Sequence, residues 1–235
     1  MDTFIKVIWL ICPIVIIALL AVIVAKLYKR QYTDTMYNYR QRKMTRDFAK
    51  QSIADKKEQI VLFGDSIFEY YDTKSAFGKV DKVVSNRGIA GDTTDMMMRR
   101  LYDNALCSQP STLFFIGGTN DINKCKKDED ILGNIRFMIE LATDCDVANI
   151  YMCSLLPVNI AVDPNMVALH TNARISRFNT ALEALCHESG ATYVNLHDAL
   201  VDETGVFDAN LTDDGLHPNT KGYAIITDIL MPYMA

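Results

Sequence analysis

Cysteine and histidine are sparse in this 235-residue chain, and their spacing excludes several kinds of site. The six cysteines are scattered and have no metal-ligand spacing, which favours reduced thiols over a disulfide framework. Only four histidines are available for acid–base chemistry. The sequence also lacks internal repeats and low-complexity tracts. With 49% hydrophobic and 23% charged residues, the chain can bury a core, and disorder is not expected.

A net positive charge is also lacking over most of the chain. The formal net charge is −5, but seven basic residues and one acid lie between residues 26 and 46. Residues 47–235 therefore carry a net charge of −11. Binding to nucleic acid needs a basic surface that neutralises phosphates, so the main body is not expected to bind nucleic acid.

Charged residues are absent from Val7 to Ala25, which leaves 19 nearly uniformly apolar positions. A helix of that length would extend ~28 Å, close to the ~30 Å hydrocarbon core of a bilayer. A cleaved signal peptide is the alternative, but the apolar run is longer than its usual core, and Ile23-Val24-Ala25 is a poor cleavage site. The sequence therefore predicts a single-pass membrane anchor over 1–27, followed by a basic linker or helix over 28–55.

The side of the membrane that the body would face is predicted from the same charges. The basic cluster follows the apolar run, and the positive-inside rule then keeps the C-terminal body in the cytoplasm. Reduced cysteines agree with that side. An outward-facing body remains the alternative, because domains with an N-terminal anchor often face outward.

Short apolar runs alternate with helical segments in the rest of the chain. Strands are predicted over 59–63, 82–86, 112–116, 149–156 and 191–196. Helices are predicted over 93–106, 131–141, 167–188 and 219–231. This alternation is typical of a parallel sheet with helices on both faces, so residues 56–235 are predicted to form one α/β domain. Sites in such sheets lie beyond the carboxyl ends of the strands.

Three polar, glycine-containing blocks follow the first three predicted strands. They are Gly64-Asp65-Ser66, the segment 86–92 and Gly117-Gly118-Thr119-Asn120-Asp121. Ser66 lies where a helix would begin, so its backbone N–H would point outward at the positive end of the helix, which favours a developing oxyanion. A serine that only caps the helix is the alternative. Gly91 and the amide of Asn120 offer further N–H groups, and a plain turn is the alternative for each.

A serine nucleophile needs a histidine base and a group that orients it. His217 lies in the turn-rich segment 213–219, three residues after Asp214, so one short turn can bring the carboxylate to the imidazole. His197, which follows the fifth predicted strand, remains an alternative base. His170 is predicted to lie within a helix.

In this order the four blocks resemble the SGNH, or GDSL-type, serine hydrolase family, from about residue 59 to the C-terminus. The likeness is strongest to the branch of lysophospholipase-like and platelet-activating-factor acetylhydrolase-like esterases. It implies a three-layer α/β/α, flavodoxin-like fold with a five-stranded parallel sheet. It also implies Ser66 as the nucleophile, His217 as the base and Asp214 as the orienting acid. The oxyanion hole would comprise the N–H groups of Ser66 and Gly91 and the Asn120 amide.

The resemblance further implies hydrolysis of an ester through an acyl-enzyme, without a metal or an organic cofactor. The expected substrate is a small acyl ester, and a membrane anchor would favour a lipid such as a lysophospholipid or an acyl thioester. Sugar O-deacetylation and acyl transfer are alternatives at the same site, and a noncatalytic binding protein is a third. Asp65 and Asp121 are expected to bind loop N–H groups. Arg87 is expected at the surface or in an ion pair.

Overall fold

The computed structural model describes residues 2–54 and 59–234, with side chains from residue 15 onward. The chain divides into two compact units, Met1–Arg46 and Asp47–Ala235. The helix α1 (Asp2–Ala54) begins in the first unit and ends in the second.

The predicted membrane anchor is not supported, because no helix in the described part of the chain is apolar over enough residues to cross a membrane. Side chains 7–14 of the predicted span lie outside the described residues, and the remaining positions, 15–25, are roughly half of the ~20 that a span needs. The predicted cytoplasmic orientation of the body stays a prediction.

The second unit contains a parallel sheet of five strands within the described residues. The strands are β1 (Ile60–Gly64), β2 (Val84–Gly88), β3 (Thr112–Ile116), β4 (Asn149–Cys153) and β5 (Thr192–Val194). Their order, β2-β1-β3-β4-β5, is that of a flavodoxin-like doubly wound sheet. Gly64 is paired with both Gly88 and Ile116, so the first three strands end at the same level. The three polar blocks therefore meet at one edge of the sheet.

Helices cover both faces of this sheet and complete the predicted three layers. They are α2 (Ser66–Glu69), α3 (Thr73–Phe77), α4 (Thr94–Asn104), α5 (Thr119–Asn123), α6 (Asp128–Asp144), α7 (Pro164–Val167), α8 (Asn172–Ser189) and α9 (Thr220–Leu230). Successive side chains of β1 point to opposite faces of the sheet, so they pack into two different hydrophobic cores. Phe63 packs with α4, α6 and α8, whereas Leu62 packs with α2, α3 and α9. The predicted α/β/α architecture is confirmed.

The fourth and fifth strands are shorter than predicted, because side chains take the backbone N–H groups beyond their ends. The N–H of Leu155 donates to the Asn179 side chain at 2.9 Å. The N–H of Leu196 donates to Ser154 Oγ, also at 2.9 Å. These polar side chains replace the next hydrogen bonds of the sheet.

His170 does not lie within a helix, and that prediction was wrong. The hydroxyl of Thr171 accepts from the N–H of Arg174, so α8 begins only at Asn172. His170 is buried in the preceding loop, where its Nε2 lies 2.9 Å from the carbonyl oxygen of Thr119.

The last turns of α1 belong to the second unit, which begins earlier than the predicted boundary at residue 56. Ser52 is buried and donates to the carbonyl oxygen of Asn104, at the end of α4, over 2.7 Å. The guanidinium of Arg87 donates to Gln51 Oε1 and lies 5.1 Å from the centre of the Phe48 ring. These contacts join the end of α1 to α4 and β2.

Candidate active site

Ser66 is placed at the start of α2 by local hydrogen bonds that follow from its sequence. Asp65 occupies the N-cap position, and its carboxylate accepts from the N–H of Ile67 at 3.0 Å. The side chain of Ser66 is mostly buried, with the residue 9% exposed. Its Oγ lies 2.9 Å from Nε2 of His217. The serine is therefore held at the carboxyl end of β1, against a histidine from the far end of the chain.

His217 is fixed by the loop that precedes α9. Its Nδ1 lies 2.7 Å from Oδ2 of Asp214, while Oδ1 of the same carboxylate accepts the N–H groups of Leu216 and His217 at 2.9 and 2.8 Å. Gly215 has a φ of +78°, and a Cβ there would lie 2.3 Å from the Asn159 carbonyl oxygen, so this turn requires glycine. The carboxylate is thus aimed at the imidazole by its own loop.

The pKa of Asp214 is lowered from its ordinary value. Burial acts most strongly and raises it, but the N–H of His217, the His217 ring and the N–H of Leu216 together outweigh burial. Asp214 is therefore ionised at neutral pH and can stabilise a positive charge on the imidazole.

His197, the alternative base, lies in the segment that follows β5. Its Nδ1 is 2.9 Å from the carboxylate of Asp198, next to it in the sequence, and its backbone N–H donates to Ser154 Oγ at the end of β4. Among the described residues, His217 is the histidine that contacts Ser66.

The two further residues predicted for the oxyanion hole follow β2 and β3. Gly91 has a φ of +81°, the left-handed conformation that glycine adopts readily. Asn120 lies in the first turn of α5, and its Nδ2 donates to the carbonyl oxygen of Asp92 at 3.0 Å. The same nitrogen is 3.5 Å from Oδ2 of Asp65. Asn120 is therefore tied to the residue after Gly91 and faces the residue before Ser66.

A buried ion pair beneath these loops was missed by the sequence analysis. Nε of Arg100 lies 2.6 Å from Oδ2 of Asp92, and both side chains are almost fully buried. The remaining guanidinium nitrogens donate to the carbonyl oxygens of Gly64 and Arg87, each at 2.8 Å. Burial lowers the pKa of Arg100 and raises that of Asp92, and their mutual attraction opposes both shifts. One guanidinium thus joins the ends of β1 and β2 to the loop that carries Gly91.

The sequence contains a signal for this ion pair. Arg100 lies three residues after Met97 and next to Leu101, within the apolar side of α4. A charge in an apolar stripe usually has a buried partner.

The remaining charged residues of the polar blocks are structural. The Asp121 carboxylate accepts from both the N–H and the hydroxyl of Thr94, each at 2.8 Å. Asp65 likewise accepts from the N–H of Ile67, so both aspartates bind backbone N–H groups, but at the starts of α2 and α4 rather than in loops. Of the two places predicted for Arg87, the surface is excluded, because the residue is buried and donates to the Asn104 carbonyl oxygen at 3.1 Å. The predicted ion pair stays a prediction.

Within the part of the chain that the structure describes, His, Cys, Asp and Glu side chains form no cluster of three suited to a metal ion.

Comparison with known proteins places this site in a family. The GDSL-like lipase/acylhydrolase family model matches residues 62–225. A solved structure from Streptococcus pneumonia, of a candidate platelet activating factor, is 29% identical with a TM-score of 0.82. The match covers 87% of this chain and 97% of that one. A GDSL-like lipase from Bacteroides thetaiotaomicron VPI-5482 shares the fold at 22% identity, with a TM-score of 0.72 and coverage of 81% and 96%.

A curated relative is much longer than this chain. The N-acylneuraminate cytidylyltransferase of Escherichia coli O18:K1:H7 (strain RS218 / NMEC) is 28% identical over 211 residues, which are 88% of this chain. The chain spans about half of that relative, 46% of its length. The family model, by contrast, covers every polar block described above. The chain therefore belongs to the GDSL-like lipase/acylhydrolase family.

Proposed function

We propose that the chain hydrolyses carboxylic esters through a Ser66–His217–Asp214 triad and an acyl-enzyme on Ser66. The observation that carries the proposal is the position of His217, whose ring joins Ser66 Oγ at 2.9 Å to Asp214 at 2.7 Å. This is the arrangement that a weak hydroxyl nucleophile needs, with a base in contact and a carboxylate behind the base.

In the first half of the reaction, Ser66 Oγ attacks the ester carbonyl carbon, and its proton passes to Nε2 of His217. Asp214 holds the Nδ1–H tautomer and stabilises the imidazolium. The negative charge that develops on the carbonyl oxygen is stabilised by hydrogen bonds donated by the N–H groups of Ser66 and Gly91 and by the Asn120 amide. Such preorganised donors are often the largest single contribution to acyl transfer.

In the second half, His217 gives its proton to the oxygen of the departing alcohol. Water, deprotonated by the same ring, then attacks the acyl-enzyme and releases the acid. A sugar or another alcohol in place of water would make the chain a transferase at the same site. Hydrolysis is the proposed reaction because it requires no second acceptor site.

The test compares three alanine variants on p-nitrophenyl acetate. Ser66→Ala and His217→Ala should each lower kcat/KM by about 10³-fold or more, because each removes a member of one catalytic unit. His197→Ala is the matched control, since this histidine also pairs with an aspartate but lies at the end of β5. It should retain nearly full activity.

The acyl-enzyme is tested by rapid mixing, in which the wild type should release a burst of nitrophenol that Ser66→Ala lacks. Full turnover by Ser66→Ala, or a larger loss in His197→Ala than in His217→Ala, would overturn the proposed triad.

A further inference from the structure

A cavity of about 450 Å³ lies between α2–α3 and the start of α9, and nothing in the proposed mechanism uses it. Its walls begin beside the proposed catalytic residues. Tyr70 lines one side, and its N–H donates to the carbonyl oxygen of Ser66 at 3.0 Å. Thr220 lines the other side, three residues after His217. The cavity is thus built on the two segments that carry the nucleophile and the base.

Tyr70 joins the cavity to the imidazole. Its ring meets the His217 ring edge-on, with 5.1 Å between centroids and 65° between planes. The residue is 54% exposed, so the ring forms an accessible wall rather than part of the core. A molecule in the cavity would therefore lie beside the ring of His217, across Tyr70.

This position assigns the cavity to one half of the substrate, on the basis of the proposed function. The acyl group stays on Ser66, whereas the departing alcohol oxygen must approach Nε2 of His217 to receive its proton. The alcohol half is therefore the half that lies on the imidazole side. A cavity that begins at Tyr70 is in the right place to hold it.

The lining indicates the chemistry of that alcohol. Its apolar surface comes from three tyrosine rings and two alanines, without a leucine, isoleucine, valine, methionine or phenylalanine among the lining residues. Hydroxyl and carboxylate groups complete the wall, from Thr220, Ser75 and Asp72. Tyr71 and Tyr223 are stacked, with ring centroids 4.9 Å apart. Tyr223 is further held by donating from its hydroxyl to the Ile67 carbonyl oxygen at 2.8 Å.

A long alkyl chain is held by large aliphatic side chains, which are absent from the residues that line this cavity. A sugar ring has apolar C–H faces that pack on tyrosine rings, and hydroxyls that hydrogen-bond to threonine, serine and carboxylate side chains. The volume is within the range of small-molecule sites, roughly 300–1,000 Å³.

We propose that this cavity is the alcohol subsite, that it takes the sugar ring of an O-acylated sugar, and that Tyr70 sets specificity for that ring. The bond between the acyl carbon and the sugar oxygen breaks. The proton on His217 goes to that oxygen, and the sugar leaves through the cavity.

The experiment measures kcat/KM for two acetates in the full chain: methyl 6-O-acetyl-glucopyranoside, whose alcohol fills the cavity, and ethyl acetate, whose alcohol is too small to do so. Tyr70→Ala removes a wall, and Ala224→Leu fills the space from the exposed side of α9. Each variant should lower the ratio of kcat/KM for the sugar acetate to kcat/KM for ethyl acetate by about 10-fold, which corresponds to ~1.4 kcal/mol of discrimination. Tyr102→Ala, an exposed tyrosine on α4, is the matched control and should leave the ratio as in the wild type.

The outcomes separate this proposal from the proposed function. Both cavity variants could keep the wild-type ratio of kcat/KM for the sugar acetate to kcat/KM for ethyl acetate, while hydrolysis of ethyl acetate still requires Ser66. That result would overturn the subsite alone. If the two cavity variants instead lose turnover of dodecyl acetate and keep that of the sugar acetate, the cavity holds an alkyl alcohol. That result would also overturn the proposed sugar subsite. Turnover of both acetates that does not depend on Ser66 would overturn the triad and the subsite together. Because the two variants change the cavity in opposite ways, a shared loss of the ratio cannot come from one misfolded protein.

Discussion

The carboxyl group of Asp65 is fully buried one residue before Ser66. Burial is the main influence on its pKa and raises it to about 7, with a further rise from the nearby carboxylates of Asp92 and Asp121. The N–H of Ile67 opposes the shift but does not cancel it. An unfolded aspartate has a pKa of about 3.9, so between about pH 4 and pH 7 the folded chain binds a proton that the unfolded chain has released. This group therefore makes folding less favourable as the pH rises through that window.

Replacing Asp65 by asparagine isolates this effect. Asparagine keeps the size of the side chain and an oxygen that can accept from the Ile67 N–H, but it does not titrate. Relative to Asp65→Asn, the free energy of unfolding of the wild type should fall by about 1–4 kcal/mol between pH 4 and pH 7 and then level off. Urea unfolding at successive pH values measures it.

The matched control for this prediction is Asp72→Asn. Asp72 also caps a short helix, but it is exposed, and its pKa is lowered, chiefly by the hydroxyl of Ser75. Its replacement should not reproduce the trend. Parallel stability curves for the wild type and Asp65→Asn would show that the Asp65 carboxyl is ionised in the folded chain over the whole window.

At the scale of secondary-structure elements, α4 holds the site together through one residue. Arg100 reaches from this helix to the end of β1 at Gly64, to β2 at Arg87 and to the loop residue Asp92. Asp92 in turn accepts from the amide of Asn120 through its carbonyl oxygen. A single buried guanidinium therefore contacts the segments that carry the proposed nucleophile and the proposed oxyanion donor Gly91, and it reaches Asn120 through Asp92.

Arg100→Met should destabilise the chain by roughly 3–5 kcal/mol, because it leaves the buried Asp92 carboxylate without the charge of the Arg100 guanidinium. Adding Asp92→Asn should recover part of that loss, so the two changes should not be additive. Arg100→Met should also lower kcat for p-nitrophenyl acetate more than it changes KM, because the displaced groups act in the transition state. Urea unfolding and steady-state kinetics of the two single variants and the double variant measure both effects.

Arg99→Met is the matched control, since Arg99 precedes Arg100 on the same helix and is exposed. A substitution at such a surface position usually changes stability by no more than ~0.5 kcal/mol. Losses that simply add in the double variant would show that Arg100 and Asp92 are not coupled.

The same elements show how far the sequence predicts the structure. The apolar run 112–116 has the bounds of β3, because a buried strand is recognisable from its composition alone. The ends of β4 and β5 and the start of α8 depend on side chains that bind backbone N–H groups, including those of Asn179, Ser154 and Thr171. Those contacts require the packed fold.

Part of the candidate site was likewise predicted from the sequence, and part became visible only in the structure. Parallel strands that end at one edge of the sheet explain why the blocks with Ser66 and Asn120 were expected to meet. The choice of His217 over His197 followed from the family resemblance, because spacing alone left both histidines open. The partners of Arg100 were not predictable, because they come from three separate segments. Tyr70 was missed because an exposed tyrosine has no sequence signal until its ring is seen against His217.

At the scale of the whole molecule, the compact unit that contains the site begins at Asp47, within α1. The contacts at the end of α1 converge on the last turn of α4. The carbonyl oxygen of Asn104 accepts from both Ser52 Oγ and Nε of Arg87. A carbonyl at a helix end has no partner within its own helix, and these two donors hydrogen-bond to it from outside the helix.

A chain that begins at Asp47 should therefore be more stable than one that begins at Gln59. The shorter chain lacks Ser52, which caps Asn104, as well as the Gln51 and Phe48 side chains that contact Arg87. We expect the loss to be about 2–4 kcal/mol, or a Tm lower by roughly 5–15 °C in a domain of this size. Thermal unfolding followed by circular dichroism measures it.

In the longer chain Ser52→Ala should reproduce part of the loss, whereas Lys50→Ala, an exposed position on the same turns, should not. Equal Tm values for the two chains would mean that α4 and β2 hold their geometry without α1, and that the domain begins at β1.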